Sequence, residues 1–135
     1  MKEIYVYDDK MPVYKINKEI KLMVEILIKN SFAKNKMKYQ FSNEIFYFND
    51  GNMGSFGFVY DTNKYIGGGK HISDMAFYDL DGTLCIATMF AYENNFVDSV
   101  DIWKVDFSPL IKMPTNENEF FTPELENWRW NQTNS

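Results

Sequence analysis

The sequence predicts an α+β fold, with one main N-terminal helix packed on an antiparallel sheet of about five strands. Three observations point there. Residues 17–33 carry apolar side chains at steps of three and four, the period of a helix with one buried stripe. From Tyr39 onward the pattern changes to short, aromatic, alternating runs. Those runs are separated by Asp-Gly and Asn-rich turns, which favour antiparallel pairing. The 135 residues suit a single domain spanning 1–135, and 45% hydrophobic content supplies a core without staples.

Residues 1–15 read as an extended lead-in with a candidate edge strand at Ile4-Tyr5-Val6-Tyr7, interrupted by Met11-Pro12. Asn17 is a fair N-cap, and Glu19 lies in the first turn, where the helix dipole favours an acid. Ile20, Met23, Val24, Leu27 and Ile28 form the stripe, with Lys18, Lys21, Glu25 and Lys29 off it. Asn30-Ser31 and the polar run from Ala33 to Lys36 end the element.

Tyr39 to Phe48 and Phe56 to Tyr60 form a predicted hairpin around the turn Asn49-Asp50-Gly51-Asn52. Asp61 to Lys70 reads as a loop containing Gly67-Gly68-Gly69. A three-stranded meander follows, over His71–Asp79, Thr83–Tyr92 and Val97–Phe107. In its second strand Leu84, Ile86, Thr88 and Phe90 share one face, and Cys85, Ala87, Met89 and Ala91 the other. Both faces are largely apolar, which predicts a central strand covered on one side by the helix. Trp103, Phe107 and Phe90 are expected in the core or at its border. Ser108-Pro109 ends the sheet, and the polar tail carries Phe120-Phe121 and Trp128-Arg129-Trp130.

Charge narrows the function classes. A formal net charge of -5 argues against nucleic acid and anionic lipid, and permits a basic protein partner. Cys85 is the single cysteine, so no intrachain disulfide and no multi-thiolate zinc site can form. The N-terminus lacks an apolar signal region, and no apolar run approaches the roughly 20 residues that span a bilayer. The expected setting is cytoplasmic, with no membrane association.

The most enzyme-like string is Asp79-Leu80-Asp81-Gly82-Thr83-Leu84, which resembles the first motif of haloacid-dehalogenase-type phosphatases. In those enzymes the first Asp attacks phosphorus and the second acts as general acid and base. That fold needs the motif on a strand leading into a helix, followed by long downstream motifs. Here another strand follows at once, so the expectation is a hairpin turn. Counting from Asp79, a calcium loop would need Glu at its twelfth position, where Phe90 stands. Gly67-Gly68-Gly69-Lys70 lacks P-loop spacing. His71 with Asp74 is too small a set for a metal, and Cys85 should pair near Asp79 or Phe77 rather than near His71. The sequence therefore predicts no catalytic residues, no cofactor and no metal.

The acids Asp74, Asp79, Asp81, Glu93, Asp98 and Asp101 fall in one meander, beside Tyr92, Phe96 and Trp103. They read either as a solvated rim or as an acidic, aromatic-flanked docking surface.

Two stretches carry a resemblance. They are Asn49-Asp50-Gly51-Asn52-Met53-Gly54-Ser55-Phe56 and Asp101-Ile102-Trp103-Lys104-Val105-Asp106-Phe107-Ser108-Pro109-Leu110, with Asp79-Leu80-Asp81-Gly82 between them. Together they resemble a family of small bacterial proteins of unknown function. Its members read D-G-x-M-G-S, then a D-x-D-G turn, then L-D-x-W-K-x-D-F-S-P-L. The departure is Ser99-Val100, where the family pattern has an acid and Leu. In general look the chain is similar to immunity proteins of contact-dependent and other polymorphic toxin systems. That similarity implies a cytoplasmic protein that neutralises a cognate, basic toxin domain such as a nuclease. The alternatives are a small metal-dependent enzyme using Asp79 and Asp81, and a small ligand-sensing domain with a deep apolar pocket.

Overall fold

Asn17 starts the helix by direct chemistry: its side-chain oxygen accepts the Ile20 N–H at 2.8 Å. The computed structural model describes residues 12–32, 38–60 and 67–123. Helix α1 runs Lys18–Lys29 and ends at Asn30, whose side-chain amide donates to the Ile26 carbonyl at 2.9 Å. Ile20, Met23, Val24, Ile26 and Leu27 are its buried residues. Ile26 thus joins the expected stripe, and Ile28 sits at its margin.

Among the described residues, six strands flank or follow the helix: β1 (Tyr14–Lys15), β2 (Glu44–Tyr47), β3 (Phe56–Phe58), β4 (Lys70–Tyr78), β5 (Leu84–Ala91) and β6 (Val97–Lys104). They form one sheet in the order β1-β2-β3-β6-β5-β4, every pair antiparallel. The sixth strand, one more than expected, is β1. It contributes two exposed residues at an edge, too few to leave a periodic signal. The candidate strand at residues 4–7, the Met11 side of the break, the run 33–36, most of the loop 61–70 and Trp128–Trp130 lie outside the described residues.

Both predicted units exist, the hairpin β2–β3 and the meander β4–β5–β6. They are joined through β3 and β6, with Phe56 opposite Val100 and Gly57 opposite Ser99. Cys85 lies opposite Phe77, and His71 opposite Phe90, so the two never meet. The Cys85, Ala87, Met89 and Ala91 face joins α1 in the main core, with Phe56, Phe58, Phe77, Val100 and Ile102. Ser73 fastens β4 to the helix by donating its hydroxyl to the Leu27 carbonyl at 2.6 Å.

The outer edge of β4 is partly covered, which blunts its tendency to pair with another chain. Phe32 donates its N–H to the Ile72 carbonyl, and Ala76 and Phe121 exchange two backbone hydrogen bonds of 2.8 and 2.9 Å. One expectation fails: Phe107 is 68% exposed, while Trp103 and Phe90 lie at the border of the core. The chain leaves β6 at Lys104, three residues before the expected end, and turns outward.

Candidate functional site

Three loops meet at one end of the sheet, and a buried lysine joins two of them. Strand β6 alternates, with Val100, Ile102 and Lys104 pointing inward. Lys104 therefore inherits an interior position and is fully buried. Its ammonium donates to Asp79 Oδ2 at 2.8 Å, Asp81 Oδ2 at 2.8 Å and the Pro109 carbonyl at 3.1 Å. All three of its protons are used.

Asp79 is equally saturated. Its Oδ1 accepts the N–H groups of Leu80 (2.7 Å) and Lys112 (3.0 Å). Its Oδ2 accepts the Lys104 ammonium and the Ile111 N–H (2.8 Å each). Burial alone would raise this carboxyl, but Lys104 and the N–H groups of Ile111, Leu80 and Lys112 outweigh it and hold it below its usual range. The Lys104 ammonium and the Thr83 N–H lower Asp81. Desolvation opposes the charge on Lys104, yet the two carboxylates hold its pKa above the ordinary lysine value.

The Asp-Gly turn expected over 79–84 is present: Asp79 and Thr83 close it, Gly82 takes φ +80°, and β5 begins at Leu84. In this arrangement Asp79 offers no free lone pair to a metal ion. Among the described residues no group of three or more His, Cys, Asp or Glu side chains is placed to hold one.

The third loop is residues 50–55. Asp50 accepts the Met53 and Ser55 N–H groups at 3.1 Å each. Ser55 accepts the Ile102 N–H at 2.8 Å and donates to Asp101 Oδ1 at 3.1 Å. The Asn52 carbonyl accepts the Leu110 N–H, and Met53 sulfur accepts the Lys104 N–H at 3.5 Å. A Cβ on Gly54 would meet Leu110 at 3.2 Å, so glycine permits this approach. The strings that carried the sequence resemblance are thus one physical assembly.

The six expected docking acids are not one surface. Asp74, Asp79 and Asp98 are buried. Asp74 accepts the Thr88 hydroxyl at 2.8 Å and lies 2.9 Å from His71 Nε2. Asp98 accepts the Gly69 N–H at 2.7 Å and the Tyr92 hydroxyl at 3.2 Å. Asp81, Glu93 and Asp101 remain at the surface, with Glu93 on the far turn between β5 and β6. Crowding around the Asp101 carboxyl raises its pKa and nearby Asp50 adds to this, against the Ser55 hydroxyl, which lowers it. The residue missed by sequence reasoning is Lys104, although its alternation with Val100 and Ile102 was a usable signal.

The face of the sheet opposite α1 carries two ordered rows. Asp74, Thr88 and Asp101 are in register across β4, β5 and β6, and so are Ala76, Ile86 and Trp103. Trp103 packs against Phe107, with ring centroids 6.1 Å apart. Tyr78 packs against Phe121 at 5.3 Å.

A family model described as a domain of unknown function (DUF6984) matches residues 14–114. The chain belongs to this family. The match runs from β1 through the loop after β6, so it takes in α1, all six strands and the assembly around Lys104. No curated protein and no solved structure matches the chain. No helix among the described residues is long and apolar enough to cross a membrane.

Proposed function

We propose that this domain binds a partner protein through the sheet face opposite α1, and that it serves as a cytoplasmic immunity protein neutralising a basic toxin domain. The observation that supports the reading is a group of aromatic rings left at the surface at one end of the sheet. Helix α1 packs on one face; on the other Asp74, Ala76 and Ile86 are buried as well, while Tyr78 and Phe107 stay exposed at the end near half-buried Trp103. Aromatic side chains at a surface suit an interface core, because they bury large area at low conformational cost. Asp101 lies on that face and Asp106 adjoins Phe107 in sequence, and a net charge of -5 would hasten encounter with a basic partner. The toxin assignment rests on the general likeness to immunity proteins and on size and charge.

Co-expression with the toxin fragment encoded beside the gene tests this. The expected result is a one-to-one complex and protection of growth. No complex at micromolar concentration would sink it.

A further inference from the structure

We propose that Phe107 is the anchor of this docking face, a ring held outward by its backbone to enter an apolar pocket ringed by Lys and Arg side chains on a partner protein. The proposal rests on the docking reading above and names the chemistry of its partner.

Phe107 adopts φ +64°, the left-handed region that disfavours a bulky L residue. The surrounding bonds enforce that geometry. The Phe107 N–H donates to the Lys104 carbonyl at 2.8 Å. Ser108 donates its N–H (3.0 Å) and hydroxyl (2.7 Å) to Asp106 Oδ1. The Lys104 ammonium holds the Pro109 carbonyl from the other side. Glycine would satisfy this turn without the steric penalty. The aromatic ring is therefore not required by the turn, and at 68% exposure it gains little from the core. Such an outlier is a reason to look for function.

Charge selects the occupant. Asp106 adjoins the ring in sequence, and because Lys104 and Asp79 are buried as a pair, the acids of this cluster that face solvent are Asp81 and Asp106. Phosphates and anionic lipid headgroups are repelled there, and a second copy of this acidic chain brings charge of the same sign. A pocket rimmed by cationic side chains complements both the ring and its surroundings, and an exposed aromatic of this kind suits an interface hot spot.

A phage-displayed random-peptide library, panned on the full chain, supplies the probe. Enriched peptides should pair Lys or Arg with aromatic or aliphatic residues. Phe107→Gly should raise the melting temperature and weaken those peptides by at least about tenfold. Asp106→Asn should weaken them less and reduce their salt dependence. If Phe107→Gly is more stable yet binds within about twofold of wild type, the anchor is overturned while the docking reading stands. Enrichment of only uncharged or acidic peptides overturns the partner chemistry. If neither peptides nor the neighbouring toxin bind the wild-type chain, both readings fall together.

Discussion

The Lys104 ammonium lies 2.8 Å from Asp79 Oδ2, and both side chains are buried. The pair bridges the β4–β5 turn to the loop that leaves β6. Asp79 then passes the restraint on to the backbone of Ile111 and Lys112. A buried pair is weak evidence of net stability, since desolvation opposes its attraction. Removing one partner is a different matter, because the other charge stays buried and uncompensated.

Lys104→Met is therefore expected to lower the melting temperature by roughly 10–20 °C. Thermal unfolding followed by circular dichroism measures this. The double variant Lys104→Met/Asp79→Asn, which removes the uncompensated charge and keeps an oxygen for the backbone N–H groups, should recover part of the loss. An unchanged melting temperature in the single variant would show that the ion pair does not hold the loops.

Acid should weaken the fold through the same group. The folded Asp79 carboxyl titrates below the unfolded value of about 3.9. Its contribution is fully present above that unfolded value and disappears as pH falls through the folded one. Asp101 has the opposite sign: its raised pKa makes the fold gain stability as pH falls through that value. The urea midpoint of the wild type should fall between about pH 4 and pH 2, and that of Asp79→Asn should fall less. Parallel curves for the two proteins would remove Asp79 from the acid response.

Ser55 is buried and serves the Ile102 N–H as acceptor. Ser55→Ala leaves that N–H unsatisfied and should destabilise by about 1–3 kcal/mol in urea titrations. A smaller effect would mean that another acceptor replaces the hydroxyl.

The Cys85 thiol is buried, and desolvation, with Asp79 next in effect, pushes its pKa up to about 12. It should resist an aromatic disulfide reagent at pH 8 for as long as the protein is folded, and react within minutes in guanidinium. Rapid labelling of the native protein would contradict this placement.

Much of the architecture was legible in the residues. The Asn17 cap, the α1 stripe, the hairpin and the meander all follow from local period and turn chemistry, and they occur close to where the sequence puts them. The two-residue β1 was not, because its pairing with Glu44 and Ile45 depends on a strand far along the chain. For the candidate site, the sequence named Asp79 and Asp81 among the docking acids, and singled out the strings 49–56 and 101–110 only through their resemblance to a family. It grouped six acids by proximity along the chain and could not separate the buried from the exposed.

By itself, then, the sequence determined the class of fold, the order of its elements and the segments that matter. Those properties are set within a few residues of each position, by steric preference and hydrophobic period. The tertiary structure decided the β3–β6 junction, the burial of Lys104 between two aspartates and the outward turn of Phe107. Each of these depends on a partner from another strand or loop, and a charge or a ring acquires its role only when packing has chosen its neighbours.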